Sequence, residues 1–206
     1  RDTIPSREGG VEIVVGELSQ RMVKLSHEAV AYNRKSEHIA GKDYHTDSVN
    51  EWNGIKIKCV FTPDNPKLNA IVYSAFATMR ALFCGYDVIH FHAEGPCSMI
   101  PFAKLFGKRC VATIHGLDWQ RGKWGGFATK FLKYGERNAA KYADEIIVLS
   151  KNVQNYFKDT YGRDTVFIPN GIERPEIVDA QIIKEKYSLD KDGYILFLGR
   201  LVPEKG

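Results

Sequence analysis

The chain has 206 residues, enough for one domain of ordinary size and part of another, but not for two complete large domains. Hydrophobic residues make up 44% of it and charged residues 26%, which excludes disordered, collagen-like and disulfide-scaffold proteins. The formal net charge of +4 is too small to indicate nucleic-acid binding, so we expect no nucleic acid among its partners.

Short β-rich apolar runs alternate with longer stretches of helical periodicity, which predicts βαβ units and a mostly parallel sheet. In chain order, the predicted elements are helix 10–25, strands 29–32 and 55–61, helix 68–83, strands 88–91 and 110–114, helix 127–142, strand 145–149, helix 152–161 and strands 166–168 and 194–198. The polar segment 35–53 has no periodicity and is predicted to be a surface loop. The fold class is therefore α/β, with a doubly wound, Rossmann-like sheet.

The two ends of the chain depart from a complete doubly wound order. Such a fold places a strand directly before a helix that opens with glycines, but no strand pattern precedes Gly10. We therefore expect the first strand of the domain to be missing. The last predicted strand, 194–198, runs into the end of the chain, so we expect a second domain to begin there and to be cut short.

Gly9 and Gly10 open the first predicted helix, and Glu12 lies in its first turn. Free backbone N–H groups and the helix dipole favour an anion at such a position, and the missing side chains let a ligand approach closely. A tight turn also explains the glycines, and an acid in the first turn also complements the helix dipole. Both interpretations stay open on these residues alone.

Cys59, Cys84, Cys97 and Cys110 are widely spaced, without a C-x-x-C pair, and no glycosylation sequon accompanies them. This usage is typical of a reducing compartment, and we expect a cytoplasmic protein with four core thiols. The longest uncharged apolar stretch, residues 68–79, has about a dozen residues, whereas a membrane-spanning helix needs roughly 20. We therefore predict a soluble or peripheral protein.

Histidines concentrate at the ends of two predicted strands. His90 and His92 flank Phe91 and so share one face of their strand, and His115 follows the strand 110–114. Because ligands of open α/β sheets bind outside the carboxyl ends of the strands, we predict that His92 and His115 face a ligand site. A hydrogen-bonded structural role is the alternative for each histidine.

The loop after His115 combines charges and aromatic rings, a mixture that favours binding over mere connection. Its members are Asp118, Trp119, Arg121, Lys123 and Trp124.

Three common catalytic motifs are excluded. Gly122-Lys123 lacks the spacing of a phosphate-binding loop, and Trp124 stands where Ser or Thr would bind magnesium. His27-Glu28 lacks the second histidine of a zinc helix, and no cluster of His, Cys and Asp has the spacing of metal ligands. The G-x-S-x-G motif of serine hydrolases does not occur. We therefore expect no metal.

The predicted helix 127–142 is rich in basic residues. It carries Lys130, Lys133, Arg137 and Lys141, with Glu136 as an acid that compensates part of their charge. Such a helix can rest on an anionic membrane surface, whereas a simply solvated helix face explains the same pattern.

The order of several short segments resembles the retaining nucleotide-sugar glycosyltransferases of family 4, also called group 1. The segments are Ile4-Pro5, Gly9 to Glu12, Asp87 to His92, Thr113 to Asp118, Ala143 to Ser150, Ile168 to Ile172 and Gly199 to Gly206. Members of this family have two Rossmann-like domains facing across a cleft, the GT-B architecture. The stretch His115 to Trp124 resembles the subgroup that includes rhamnosyltransferases of bacterial surface-polysaccharide synthesis.

The resemblance implies a domain division and a set of site residues. Residues 1–189 would form the N-terminal, acceptor-side domain, and residues 190–206 a linker and the first strand of the donor-binding domain. His115 would be catalytic, and Gly9, Gly10, Arg200 and Lys205 would bind the donor. The acceptor or cleft residues would be Glu12, His92, Asp118, Arg121, Lys123 and Asn170.

The resemblance also implies a reaction. The protein would transfer a sugar from a nucleotide-sugar donor to a glycan or lipid-linked acceptor, with retention and without metal or cofactor. The expected setting is polysaccharide or lipopolysaccharide synthesis at the inner face of a bacterial membrane, with peripheral membrane contact. Alternatives are a non-catalytic sugar-nucleotide-binding domain and a GT-B-like epimerase or phosphorylase. We expect the 206 residues alone to be inactive, because a two-domain cleft supplies the positioning.

Overall fold

The structure, a computed structural model, describes residues 3–5, 10–35, 49–63, 65, 68–120, 125–172, 174, 176, 178–179, 181–190 and 192–199. The chain divides into two compact units, Arg1–Asn170 and Gly171–Gly206.

Helices and strands alternate through most of the first unit. The strands are β1 Val30–Lys35, β2 Glu51–Trp52, β3 Ile55–Phe61, β4 Val88–His92, β5 Arg109–Ile114, β6 Glu145–Val148 and β7 Val166–Phe167. The helices are α1 Gly10–Lys24, α2 Asn69–Leu82, α3 Glu94–Cys97, α4 Ile100–Leu105, α5 Gly126–Tyr142 and α6 Lys151–Tyr161, followed in the second unit by α7 Gln181–Tyr187. A short 3₁₀ turn spans Asp118–Gln120.

The described strands form two sheets. One sheet has the order β4-β5-β6-β7, and all its strands are parallel. The other has the order β1-β3-β2, in which β1 and β3 are parallel and the short β2 is antiparallel. Helices connect the parallel strands of the four-stranded sheet, which confirms the predicted α/β, Rossmann-like fold class.

The main core lies around the four-stranded sheet. Its fully buried side chains include Ile100, Ile114, Ile146, Val148 and Phe157. Burying each large apolar side chain contributes about 1.5–3 kcal/mol before the entropy cost of ordering it. A smaller core around β1 and β3 contains Ile4, Ala31, Ile55 and Ile57.

The ends of α6 illustrate how the sequence sets the elements. The Ser150 hydroxyl accepts a hydrogen bond from the backbone N–H of Val153 at 3.3 Å, so it caps the start of the helix. The helix stops where Gly162 adopts the left-handed conformation, with φ of 62°. Both signals lie at the boundaries that the apolar periodicity predicts.

Helices α3 and α5 cross at very close range because of Gly135. A β-carbon at this position would lie 1.8 Å from the carbonyl oxygen of Glu94 and 2.9 Å from its carbonyl carbon. Only glycine leaves room for the backbone of α3 at the surface of α5. This contact fixes the start of α3 against the middle of α5.

The prediction of a strand at residues 194–198 is wrong. These residues have no strand hydrogen bonding, and Ile195 and Leu198 are 100% and 90% exposed. The described residues of the unit Gly171–Gly206 contain no strand with which residues 194–198 could pair, and a strand without neighbours is not stable.

The predicted loop 35–53 also needs a correction, because Glu51–Trp52 pair with β3. Residues 36–48 of this predicted loop lie outside the described part of the chain.

The cysteine prediction is half correct. Cys97 and Cys110 are buried, whereas Cys59 and Cys84 are only half-buried; all four are free thiols. Cys59 lies in β3 beyond the short stretch that β2 covers, and Cys84 lies in the turn after α2.

Within the described ranges, no helix combines the length and the apolar character that a membrane crossing requires.

Candidate active site

The candidate site lies where β4 and β5 end. The two strands are parallel neighbours, and their register pairs His92 with Thr113. The residues that follow each strand therefore emerge at the same edge of the sheet, which is where open α/β sheets bind ligands.

Three imidazole rings lie together at this edge. Nδ1 of His92 and Nε2 of His115 are 3.1 Å apart, within hydrogen-bond distance. The ring of His90 stacks on that of His92 with 4.2 Å between centroids, so the two do share one face of β4. Nε2 of His90 lies 2.7 Å from the Thr113 hydroxyl oxygen, which gives His90 a structural partner.

The three histidines are held neutral. Burial lowers the pKa of His92 well below its usual value, and the neighbouring His90 and His115 lower it further. Burial and His115 lower the pKa of His90 to about 4. Burial also lowers the pKa of His115, although Asp118 and Glu12 oppose this effect. Near neutral pH the site therefore offers uncharged imidazoles, which both donate and accept hydrogen bonds.

Two carboxylates approach His115 from different elements. Glu12 lies in the first turn of α1 and Asp118 opens the 3₁₀ turn, and both are close enough to raise the pKa of His115. Four of the predicted site residues, Glu12, His92, His115 and Asp118, thus come together.

Gly10 starts α1 and leaves open space. Among the described residues, nothing would lie within 4 Å of a β-carbon at this position. No described side chain or backbone therefore obstructs the start of this helix at Gly10.

The turn beyond His115 requires a glycine. Gly116 has φ of 152°, a conformation that residues with a side chain rarely adopt, and the chain then enters the 3₁₀ turn Asp118–Gln120.

Glu94 holds the start of that turn. Its carboxylate Oε1 accepts a hydrogen bond from the backbone N–H of Asp118 at 2.8 Å. The side chain is fully buried, and its second oxygen, Oε2, has no hydrogen-bond partner among the described residues. Burial raises the pKa of Glu94 to about 7; Asp118 and Glu136 also raise it, and the backbone N–H bonds to the carboxylate lower it.

Glu136 holds the next residue of the turn. Its carboxylate accepts hydrogen bonds from Trp119 Nε1 at 2.8 Å, the Tyr156 hydroxyl at 2.8 Å and the Tyr161 hydroxyl at 2.5 Å. Glu136 therefore does not lie among the exposed basic residues that it was expected to compensate, because it is 0% exposed. The basic residues of α5, Lys130, Lys133, Arg137 and Lys141, are exposed as expected.

Ala93, between His92 and Glu94, has an unusual backbone. Its φ and ψ of 69° and 165° fall in a region that is nearly exclusive to glycine. Its N–H donates to the carbonyl oxygen of Thr113 at 2.9 Å, which holds this conformation at the end of β5. Such strain, about 1–3 kcal/mol, concentrates at functional sites.

Of the remaining predicted site residues, the structure describes Asn170, which is not brought into this group. Asn170 is exposed in the segment after β7, two strands away from β5 in the sheet. Gly9, Arg121, Lys123, Arg200 and Lys205 lie outside the described residues.

Glu94 and Glu136 belong to the candidate site but were not among the site residues predicted from the sequence. Glu136 belongs to the buried stripe of α5 that also contains Leu132, Ala139 and Ala140, and the helical period places all four on one face. This helical period was the feature of the sequence that could have placed Glu136 on the buried face of α5. For Glu94, the signal was its place directly after the histidine-bearing strand.

In the part of the chain that the structure describes, no group of three or more His, Cys, Asp or Glu side chains is arranged to hold a metal ion. A family model described as Glycosyltransferase Family 4 matches residues 8–174, most of the chain. No curated protein matches the sequence.

Proposed function

Because the chain belongs to Glycosyltransferase Family 4, we propose that it transfers a sugar from a nucleotide-diphosphate sugar to a glycan or lipid-linked acceptor with retention of configuration. The proposed setting is bacterial surface polysaccharide or lipopolysaccharide synthesis. The observation that carries the proposal is the neutral His92–His115 pair beside Glu12 and Asp118, at the sheet edge where α/β proteins bind ligands.

His115 is the proposed catalytic residue. A neutral imidazole can hydrogen-bond to a hydroxyl of the transferred sugar, and its hydrogen bond to His92 limits how the ring can turn. A ring fixed before the substrate arrives needs little reorganisation as charge develops in the transition state.

The start of α1 is the proposed site for a phosphate of the donor. Unsatisfied N–H groups at a helix start and the positive end of the dipole favour a phosphate, and the space at Gly10 leaves room for it. Gly9, Arg200 and Lys205 stay in the proposal as donor-binding residues on the resemblance alone. No metal or cofactor is required in this scheme, because fixed N–H groups and cations can stabilise the leaving diphosphate.

The acceptor is proposed to approach between Glu12 and Asp118. Carboxylates accept hydrogen bonds from sugar hydroxyls, and these two lie close to His115. Arg121, Lys123 and Asn170 stay proposed cleft residues. The exposed basic face of α5 supports a peripheral contact with an anionic membrane, such as the inner face of a bacterial membrane.

The test is a transfer assay on the full-length protein. We would supply diphosphate sugars of uridine, guanosine and thymidine, add bacterial glycan and lipid extracts as acceptors, and detect the labelled product. Replacing His115 by Ala is expected to lower kcat by about 100-fold without a matching loss of thermal stability. His27→Ala, at an exposed position after α1, is the matched control and should leave kcat unchanged.

Three outcomes would contradict the proposal. One is isomerisation or phosphorolysis of the sugar without transfer to any acceptor. The second is an inverted anomeric bond in the product, determined by NMR. The third is equal activity of the His115→Ala and His27→Ala variants.

A further inference from the structure

We propose that Glu94 and Glu136 are positioning residues that hold the turn Asp118–Gln120 beside His115. The inference rests on the proposed function, because it assigns this turn to the substrate cleft. Among the described residues, neither glutamate forms a hydrogen bond with His115; each acts through the residue of the turn that it binds.

The first anchor acts on the backbone. Oε1 of Glu94 accepts the N–H of Asp118 at 2.8 Å, and Glu94 itself starts α3 directly after the strained Ala93. The close crossing at Gly135 fixes this part of α3 against α5. The backbone of Asp118 is therefore tied to a rigid part of the fold.

The second anchor acts on the next side chain. The indole N–H of Trp119 donates to Oε2 of Glu136, and the ammonium of Lys133 lies 4.2 Å from the centre of the indole ring. The other oxygen of Glu136 accepts the hydroxyls of Tyr156 and Tyr161 from α6. These hydroxyls fix the carboxylate, so the indole meets an acceptor whose position is already set.

Stability alone does not account for these two buried acids. Burying a carboxylate is costly, and an apolar side chain of similar size would avoid that cost. At Glu136, the hydrogen bonds to the carboxylate offset the cost of burial. At Glu94, Oε2 is buried without a hydrogen-bond partner among the described residues. The charged or titratable groups that act on Glu94 are Asp118 and Glu136, both acidic, and the thiol of Cys97 senses its charge. Because the burial of Glu94 is unfavourable for stability, we explain its presence by the turn Asp118–Gln120 that it holds in place.

The consequence for the site is geometric. Consecutive residues, Asp118 and Trp119, are bound to two different helices, so the turn cannot swing as a unit without breaking both contacts. The carboxylate of Asp118 consequently stays within electrostatic reach of His115.

The test is amide hydrogen exchange of the full chain, measured by NMR near pH 6 without any ligand. The Glu94→Ala variant is expected to exchange the Asp118 amide at least about tenfold faster, which corresponds to about 1.4 kcal/mol. The amide of Ala112 in the middle of β5 reports global opening. Its exchange rate should change only by the amount that the change in overall stability accounts for. Glu94→Gln retains an acceptor oxygen and should keep the Asp118 rate within about threefold of the original.

A parallel test addresses Glu136, whose replacement by Ala could prevent folding. Tyr161→Phe leaves the carboxylate and removes only one of its donors, so it is expected to speed exchange of the Trp119 indole N–H severalfold while Ala112 is unchanged. Trp119→Phe identifies the indole signal.

Either of two results would overturn the inference. One is an Asp118 amide that exchanges equally fast in the original protein and in Glu94→Ala. The other is faster exchange at Asp118 only in proportion to Ala112, since that would mean general loss of stability. Because no substrate is used, failure here would leave the transferase proposal standing, and failure of the transfer assay would leave this result unaffected.

Discussion

Replacing Glu94 by Gln should change how the stability of the protein depends on pH. In the folded protein, burial raises the pKa of Glu94 from its ordinary value of 4.5 to about 7, with Asp118 and Glu136 adding to the effect. The folded chain therefore keeps a proton that the unfolded chain has already released. Glutamine has a similar shape and no titration, so it removes this difference.

The sign and size follow from proton linkage. Between the two pKa values unfolding releases a proton, so the free energy of unfolding contributed by Glu94 falls as the pH rises. From about pH 5 to about pH 8 the loss amounts to about 2.5 kcal/mol, a large part of the stability of an ordinary domain. Above about pH 8 the contribution becomes constant, because the carboxylate is then ionised in both states.

The measurement is urea unfolding of the original chain and the Glu94→Gln variant at about pH 5 and about pH 8. The original chain should lose about 2.5 kcal/mol more than the variant between these conditions. Glu51→Gln, on an exposed residue of β2, controls for the loss of one negative charge. Identical pH dependence in the original chain and in Glu94→Gln would refute the reasoning, since it would mean that Glu94 is solvated or ionised in the folded protein.

Two further substitutions test the packing around the site. Gly135→Ala should lower the free energy of unfolding by at least about 2 kcal/mol, because its β-carbon would overlap the Glu94 carbonyl group. Gly126→Ala at the start of the same helix, where no described atom lies within 4 Å of the added β-carbon, should change the free energy of unfolding by less than about 1 kcal/mol. Equal urea midpoints for these two variants would show that α3 and α5 are not in close contact. Ala93→Gly should stabilise the chain by about 1 kcal/mol by relieving its backbone strain, and a lower urea midpoint would contradict the conformation described.

The sequence predicts the longer elements well because their apolar residues repeat with one period over several turns or pairs. Helices α1, α2, α5 and α6 begin and end within a residue or two of the predicted limits. The short helices α3 and α4, with four and six residues, contain too few turns for a period to be visible. β2 has only two residues and depends on its partner β3. Short elements of this kind are set by tertiary contacts.

The residues of the candidate site likewise include some that the sequence predicted and some that it did not. His92 and His115 could be placed because strand ends meet at a known edge of an α/β sheet. The positions of Glu94 and Glu136 carried a signal, but neither residue was assigned to the site, because a charged residue is ordinarily assigned to solvent. The donors that satisfy Glu136 come from Trp119, Tyr156 and Tyr161, distant in sequence. Only the fold brings those donors together.

The contact between His92 and His115 also decides what His115 can offer a ligand. The two facing nitrogens share one hydrogen across 3.1 Å. If Nε2 of His115 carries it, the remaining nitrogen of that ring accepts; if Nδ1 of His92 carries it, the remaining nitrogen of His115 donates. The change of tautomer involves no net charge, so burial does not oppose it. A hydroxyl group can both donate and accept, and a neutral pair can therefore match it in either orientation, whereas an imidazolium could only donate.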